Sequence, residues 1–280
     1  MIPRSLTTRR IANETVSALS TLSAFLGIFF LGWILFEVMQ RGLGAVSPAF
    51  FTELPTPIGV TGGGLANAIF GSVLMTLLAT LIGVPLGLCT AVYLSEYGRD
   101  SRLANTVRFC TNILMGIPSI IIGMFVFALI VVRIHHFSGA AGALALAIIM
   151  LPIVARTSED MLNLVPNALR ESALALGIPR WRAINNIIFR AARTGLMTGV
   201  LLAIARVSGE TAPLLFTALN SPHWPESLSA PMANLPVTIF NYAMSPYEDW
   251  QRLAWGASFI IMVAVLGLTL VSRFLLHERK

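Results

Sequence analysis

Six long apolar runs divide this chain, separated by short polar connectors and two longer ones. The runs fall at about residues 16–39, 65–93, 109–132, 139–155, 194–219 and 253–276. A bilayer's hydrocarbon core asks for about 20 apolar residues in helical form, and these runs approach or exceed that length. The pattern therefore predicts an all-α, polytopic membrane bundle of six transmembrane helices. Residues 40–64 and 220–251 are Pro-rich loops, the first ending in Gly62-Gly63-Gly64. Gly71, Gly83, Pro85 and Gly87 in the second run suit close helix packing or a bend. Gly116-Ile117-Pro118-Ser119 interrupts the third run. A proline kink is the reading preferred there. The alternative is a gate-like broken helix whose first amides point at an anion.

Composition agrees with the pattern. Of 280 residues, 56% are hydrophobic and 11% charged, with mean hydropathy +0.78. Soluble domains carry about 25% charged residues. A net charge of +6 invites a nucleic-acid reading, but the placement of the charges argues for topology instead. Nineteen residues are basic, and Lys280 is the only lysine. With six spans, fifteen of the nineteen fall on the side of the two termini and three on the other; Arg206 lies within a span. By the positive-inside rule both termini are cytoplasmic, and the first run is a retained anchor. The basic loops could also touch anionic lipid. Trp224, Trp250 and Trp255 fit an aromatic belt on the outer side. Asn67, near the outer mouth, either meets solute or caps the second span.

Other chemistry is excluded by what is missing. Cys89 and Cys110 sit near apolar runs without disulfide or metal spacing. His135 and His136 have no ligand partners nearby. A phosphate-binding loop needs a lysine that the chain lacks outside position 280. The expectation is a non-enzyme that binds no cofactor or metal of its own.

Residues 167–193 form the most polar interruption, NALRESALALGIPRWRAINNIIFRAAR. Gly177 suits the stop of one short helix and Pro179 the start of the next. Two short helices are predicted to meet there. Leu169, Ala173 and Leu176 share a face of the first, and Glu171 lies off it. The segment resembles the EAA loop of binding-protein-dependent ABC transporter permeases. Glu171, Ala173 and Gly177 stand at the matching places. Ser172 replaces an Ala of that pattern, and Arg190-Ala191 replaces its closing Leu-Pro. The resemblance implies a coupling helix that docks on an ATP-hydrolysing partner.

The fifth run carries Arg206-Val207-Ser208-Gly209-Glu210-Thr211. An arginine at a bilayer centre costs roughly 2.5–3.5 kcal/mol on insertion scales, so something must offset it. Glu210, four residues on, is placed by helical spacing on the same face. The two then either lock the helix as an ion pair or line a path for an oxyanion, which a guanidinium suits. The string ARVSGETAPLLFTA resembles the fifth span of PstA-type permeases of phosphate-uptake ABC systems. GGGLANAIFGS, GIPSIIIGMF and LPIVARTSEDMLNLVP, spread from Gly62 to Pro166, agree.

That resemblance implies a type I (MetI-like) permease core over 63–277, with a coupling loop at 158–193, preceded by an anchor helix and outer loop over 1–62. It implies a substrate pathway through Arg156, Arg206, Glu210 and Thr211, although Arg156 also reads as a positive-inside anchor. It implies partners: a PstC-like permease, a PstB-like ATPase dimer that holds ATP and Mg, and a periplasmic phosphate-binding protein. Phosphate and membrane lipid complete the list, nucleic acid does not enter it, and the location is the bacterial inner membrane. Alternatives are another oxyanion (sulfate, molybdate or phosphonate), a proton-driven carrier using Glu210, or a membrane sensor.

Overall fold

The computed structural model describes residues 6–60, 62–99 and 101–276. Arg4, His277, Arg279 and Lys280 lie outside the described residues. Thirteen helices follow in order among those described. They are α1 (Leu6–Leu43), α2 (Pro48–Thr52), α3 (Ala66–Val92), α4 (Arg102–Gly116), α5 (Ser119–Val126), α6 (Val132–Ile134) and α7 (Gly139–Asn163). Then come α8 (Asn167–Ala175), α9 (Arg180–Ala183), α10 (Phe189–Ser208), α11 (Ala212–Thr217), α12 (Leu235–Ala243) and α13 (Glu248–Leu276). Single π-helical turns extend α3 (Tyr93–Tyr97), join α5 to α6 (Phe127–Val131) and join α9 to α10 (Ile184–Ile188).

Five helical runs are long and apolar enough to cross a membrane: Arg9–Leu43, Ala66–Tyr97, Gly139–Asn163, Arg180–Ser208 and Glu248–Val271. The third apolar run is α4 followed by α5–α6, a bent pair whose halves meet at 102° and which makes a sixth span when the two are counted together. This is a corner, not the proline kink preferred from the sequence. Pro118 disfavours helical backbone at the residue before it. Ile117 is accordingly extended (φ −73°, ψ 130°), and so is Pro118 (φ −55°, ψ 133°).

Helix α7 forms the centre. Its Leu146, Met150 and Val154 pack with Met75 and Ala79 of α3, Ala203 and Val207 of α10, and Leu214 of α11. Lipid tails are as apolar as leucine, so close contact rather than water exclusion holds such helices together. The sequence supplies it with small residues: a Cβ at Gly87 would lie 2.8 Å from the Val154 side chain and 3.1 Å from the Leu151 carbonyl.

Two predicted spans end elsewhere. Helix α7 runs two turns past 155, because its polar end finds partners: Glu159 meets Arg108 at 2.6 Å and Asp160 meets Arg156 at 3.3 Å. The fifth span starts at Arg180 and stops at Ser208, well short of 219. Pro213 explains the stop, since its ring would clash with the Gly209 carbonyl four residues back. Tighter i→i−3 bonds close the helix, from the Gly209 amide to the Arg206 carbonyl at 3.3 Å and from the Glu210 amide to the Val207 carbonyl at 3.1 Å, and the chain restarts as α11 with Pro213 in its first turn.

Helix α1 meets the bundle near its C-terminal end, where Gly42 packs on Phe259 and Trp255 of α13 and Arg41 lies over the Trp255 ring. Asn67 is buried and donates to the Ser221 carbonyl at 2.8 Å, so it pins the 220–223 loop rather than capping α3. Trp250 stacks on Tyr242 at 4.6 Å under the same loops.

Candidate functional site

The corner at Ile117-Pro118 and the break at Gly209-Glu210-Thr211 face each other. They are held by Gly123 of α5 against Pro213 of α11; a Cβ at position 123 would lie 2.6 Å from the Pro213 Cα. Between the two breaks is a cavity of about 170 Å³, several waters' worth at ~30 Å³ each. Pro118 and Ser119 line it from the corner, Ile149 and Ile153 from α7, and Arg206 and Glu210 from the two sides of the second break.

A helix end, not a continuous α-helical turn, separates Arg206 from Glu210. The helix ends between them at Ser208, so the four-residue spacing no longer sets a common face. No ion pair within 4.0 Å joins them. Neither side chain finds a hydrogen-bond partner among the described residues. Arg206 is exposed in the single chain and Glu210 is half-buried.

The N-terminus of α5 adds to the positive side of the cavity. Its N-cap is Pro118, which offers no capping side chain, so the first amides keep their partial positive charge. One guanidinium, one helix N-terminus and one carboxylate thus border a small space. Such a set suits an oxyanion: the first two attract it and the third opposes tight holding.

Not every residue singled out from the sequence lies here. Arg156 is three residues beyond Ile153 on α7 and is held by Asp160 at 3.3 Å and Glu159 at 3.8 Å. It is absent from the cavity lining. Thr211 is the N-cap of α11, and its carbonyl accepts from the Leu214 and Leu215 amides. Its side chain is outside the lining as well.

The second region of interest is the helix pair α8–α9. Helix α8 closes in a Schellman motif: the Ile178 amide donates to Ala173 at 3.1 Å and the Gly177 amide to Leu174 at 2.9 Å. Gly177 has φ +75°, where any side chain is strained. Ala173 is buried beneath the turn. Glu171 is exposed and has no ion-pair partner among the described residues. Leu174, Leu176 and Trp181 are exposed near it. Of Leu169, Ala173 and Leu176, which helical spacing puts on one face, only Ala173 is buried, and Leu176 is 79% exposed.

What fixes α8 to the bundle is a pair that the sequence reading missed. Arg170 grips the Glu96 carboxylate in the π-turn at the end of α3, at 2.7 and 3.1 Å. It also donates to the Leu162 and Val165 carbonyls. Arg180 donates to the Glu96 carbonyl and lies over the Tyr97 ring at 5.1 Å. Glu96 and Glu159 are both buried, at 5% and 3% exposure. An acidic residue at the polar end of an apolar run was a visible signal for each; its partner, 74 or 51 residues away, was not.

Membrane-length helices, two broken around a charged cavity and one continuous with an exposed helix pair, make the architecture of a transport permease subunit. Residues 83–277 match the family model described as "Binding-protein-dependent transport system inner membrane component". Both regions lie within that match. The chain is 50% identical over 272 residues to the phosphate transport system permease protein PstA of Yersinia pestis, covering 97% of this chain and 92% of that protein. It is 48% identical to the protein of the same name from Pasteurella multocida, covering 97% and 96%. Among solved structures it resembles a chain of the MetNI methionine ABC transporter in an inward-facing conformation. There the TM-score is 0.59 at 18% identity, over 77% of this chain and 96% of that one. At that identity the likeness speaks for the fold. The chain belongs to the binding-protein-dependent transport system inner membrane components and, among these, to the PstA permeases.

Proposed function

We propose that this chain is the transmembrane permease subunit of an ATP-driven importer of inorganic phosphate. The observation that carries this reading is the cavity in which Arg206 and Glu210 stand unpaired between two broken helices, in a chain whose relatives bear the name of phosphate permeases. Arg206 and the first amides of α5 attract the anion. Glu210 weakens its hold, since a transit site must release what it admits.

In this reading α8–α9 and both termini face the cytoplasm of a bacterial inner membrane, in line with the excess of basic residues at that end. The exposed Leu174, Leu176 and Trp181 around Glu171 form the docking face for a PstB-like ATPase, which holds ATP and Mg. A PstC-like permease completes the path, and a periplasmic phosphate-binding protein delivers phosphate on the far side. This chain supplies passage and coupling and no catalysis. The helical run Arg180–Ser208 joins the docking face to Arg206 over about 39 Å at 1.5 Å per residue. A shift of α8–α9 therefore reaches the cavity through one unbroken lever. Meanwhile, Arg170 and Glu96 carry it to α3.

The test is ATP-driven uptake of labelled phosphate by the assembled transporter in proteoliposomes. Arg206→Gln is expected to abolish most uptake while the subunits still copurify. Undiminished uptake overturns the reading of the cavity. Glu171→Lys is expected to leave ATP hydrolysis running without uptake, and coupled transport in that variant overturns the docking face.

A further inference from the structure

Helix α10 has a second groove, on the flank away from the cavity. Between α3 and α10, Val84 and Leu88 face Leu196, Met197, Val200 and Leu201 across a cleft of about 550 Å³. The wall is almost entirely hydrocarbon. Its polar groups, Asn185, Arg190 and Arg193, gather at the end nearest α8–α9. Arg190 and Arg193 are three residues apart and so share a helix face. Neither has an ion-pair partner among the described residues. Three other arginines at this end are ion-paired: Arg108 with Glu159, Arg156 with Asp160, Arg170 with Glu96.

The dimensions suit one kind of occupant. From Arg190 to Leu201 the helix rises about 16 Å. Half of a ~30 Å hydrocarbon core is ~15 Å. The groove is therefore as deep as one leaflet, apolar along that depth, and doubly cationic at its rim. We propose that it binds one anionic phospholipid of the cytoplasmic leaflet. The headgroup phosphate sits at Arg190 and Arg193, and an acyl chain lies along Leu88 and Val84 against Met197 and Leu201. Free phosphate would use the rim and leave the apolar wall unfilled. A protein partner would have to seat two unpaired like charges at the edge of its contact. Bound there, the lipid braces α10, the helix that also carries Arg206. The choice of leaflet rests on the orientation proposed above.

The experiment uses the assembled transporter in phosphatidylcholine nanodiscs doped with phosphatidylglycerol, with retained lipid counted by native mass spectrometry. Wild type is expected to keep one tightly held phosphatidylglycerol. The double variant Arg190→Gln/Arg193→Gln is expected to hold it roughly 30-fold more weakly, about one order-of-magnitude step and a half for two surface arginines. Met197→Trp, which fills the groove and keeps both charges, is expected to expel it too. Arg182→Gln, outside the groove, is expected to retain it, and millimolar inorganic phosphate is expected to displace nothing. Equal retention in the double variant overturns the proposal. So does displacement by inorganic phosphate, which marks a free-anion site. So does loss of the partner permease with lipid unchanged, which marks a protein interface. Separately, labelling of Arg190→Cys from the periplasmic side by an impermeant maleimide overturns the orientation and with it the leaflet, whatever the lipid count.

Discussion

Two sets of charges in this molecule are treated in opposite ways. At the basic end, Glu96 and Glu159 are buried and each is met by an arginine within 2.7 Å. In the cavity, Arg206 and Glu210 border the same space and no ion pair joins them. The first set closes on itself and holds helices in register: α8 to the end of α3, and α4 to α7. The second is kept apart by the break at Gly209, so its charges remain available to a guest. A buried charge that is already matched is part of the frame; the unmatched charges beside the α5 N-terminus are the ones that the proposed function assigns to an anion.

Arg170→Ala tests that contrast hardest. It strands Glu96 without its partner, and breaking a buried pair costs about 3–5 kcal/mol. The purified complex is expected to melt at lower temperature and to lose coupling between ATP hydrolysis and uptake. Unchanged melting would mean that the basic end is not held by its pairs. Arg206→Gln comes next, with the opposite signature. Losing hydrogen bonds to a charged group removes about 1.5–3 kcal/mol from the anion's stabilisation, so uptake is expected to fall about 10- to 100-fold. Melting is expected to stay within about 0.5 kcal/mol of wild type, because no partner in the chain is abandoned. A strong fall in stability would make Arg206 a frame residue like Arg170.

Gly177→Val follows. A side chain held at φ +75° costs about 1–2 kcal/mol. The turn between α8 and α9 is expected to distort and ATPase copurification to weaken, with Gly177→Asn recovering much of the loss. Equal behaviour of Val and Asn would remove the backbone explanation. Arg156→Gln is expected to do least. Its guanidinium is 42% exposed and paired along its own helix, an arrangement worth about 0–1 kcal/mol. Phosphate uptake in that variant is expected to stay within about twofold of wild type; a loss like that of Arg206→Gln would bring Arg156 into the pathway.

Much of the frame was legible from residue order. The apolar runs announced the spans, and Gly177 before Pro179 announced the stop and restart of two short helices. These rest on interactions within about four residues, which a single stretch of chain contains. Local rules also mark both breaks: Pro213 opposes helix at Gly209 and Pro118 opposes it at Ile117, although the apolar pattern runs on through each.

What no stretch contains is the partner of a distant group. Glu96 finds Arg170 across 74 residues, Arg108 finds Glu159 across 51, and Asn67 finds the Ser221 carbonyl across 154. Only the packing of α3, α4, α7, α8 and the 220–223 loop brings these atoms together. Arg206 and Glu210 show the reverse case: their spacing along the chain promised a shared face, and the helix end between them withdrew it. Residue order alone determined that the chain threads a membrane and where its backbone must turn. The assembled helices decided which charges neutralise one another and which are left open, because distance in space, and not along the chain, sets an electrostatic energy.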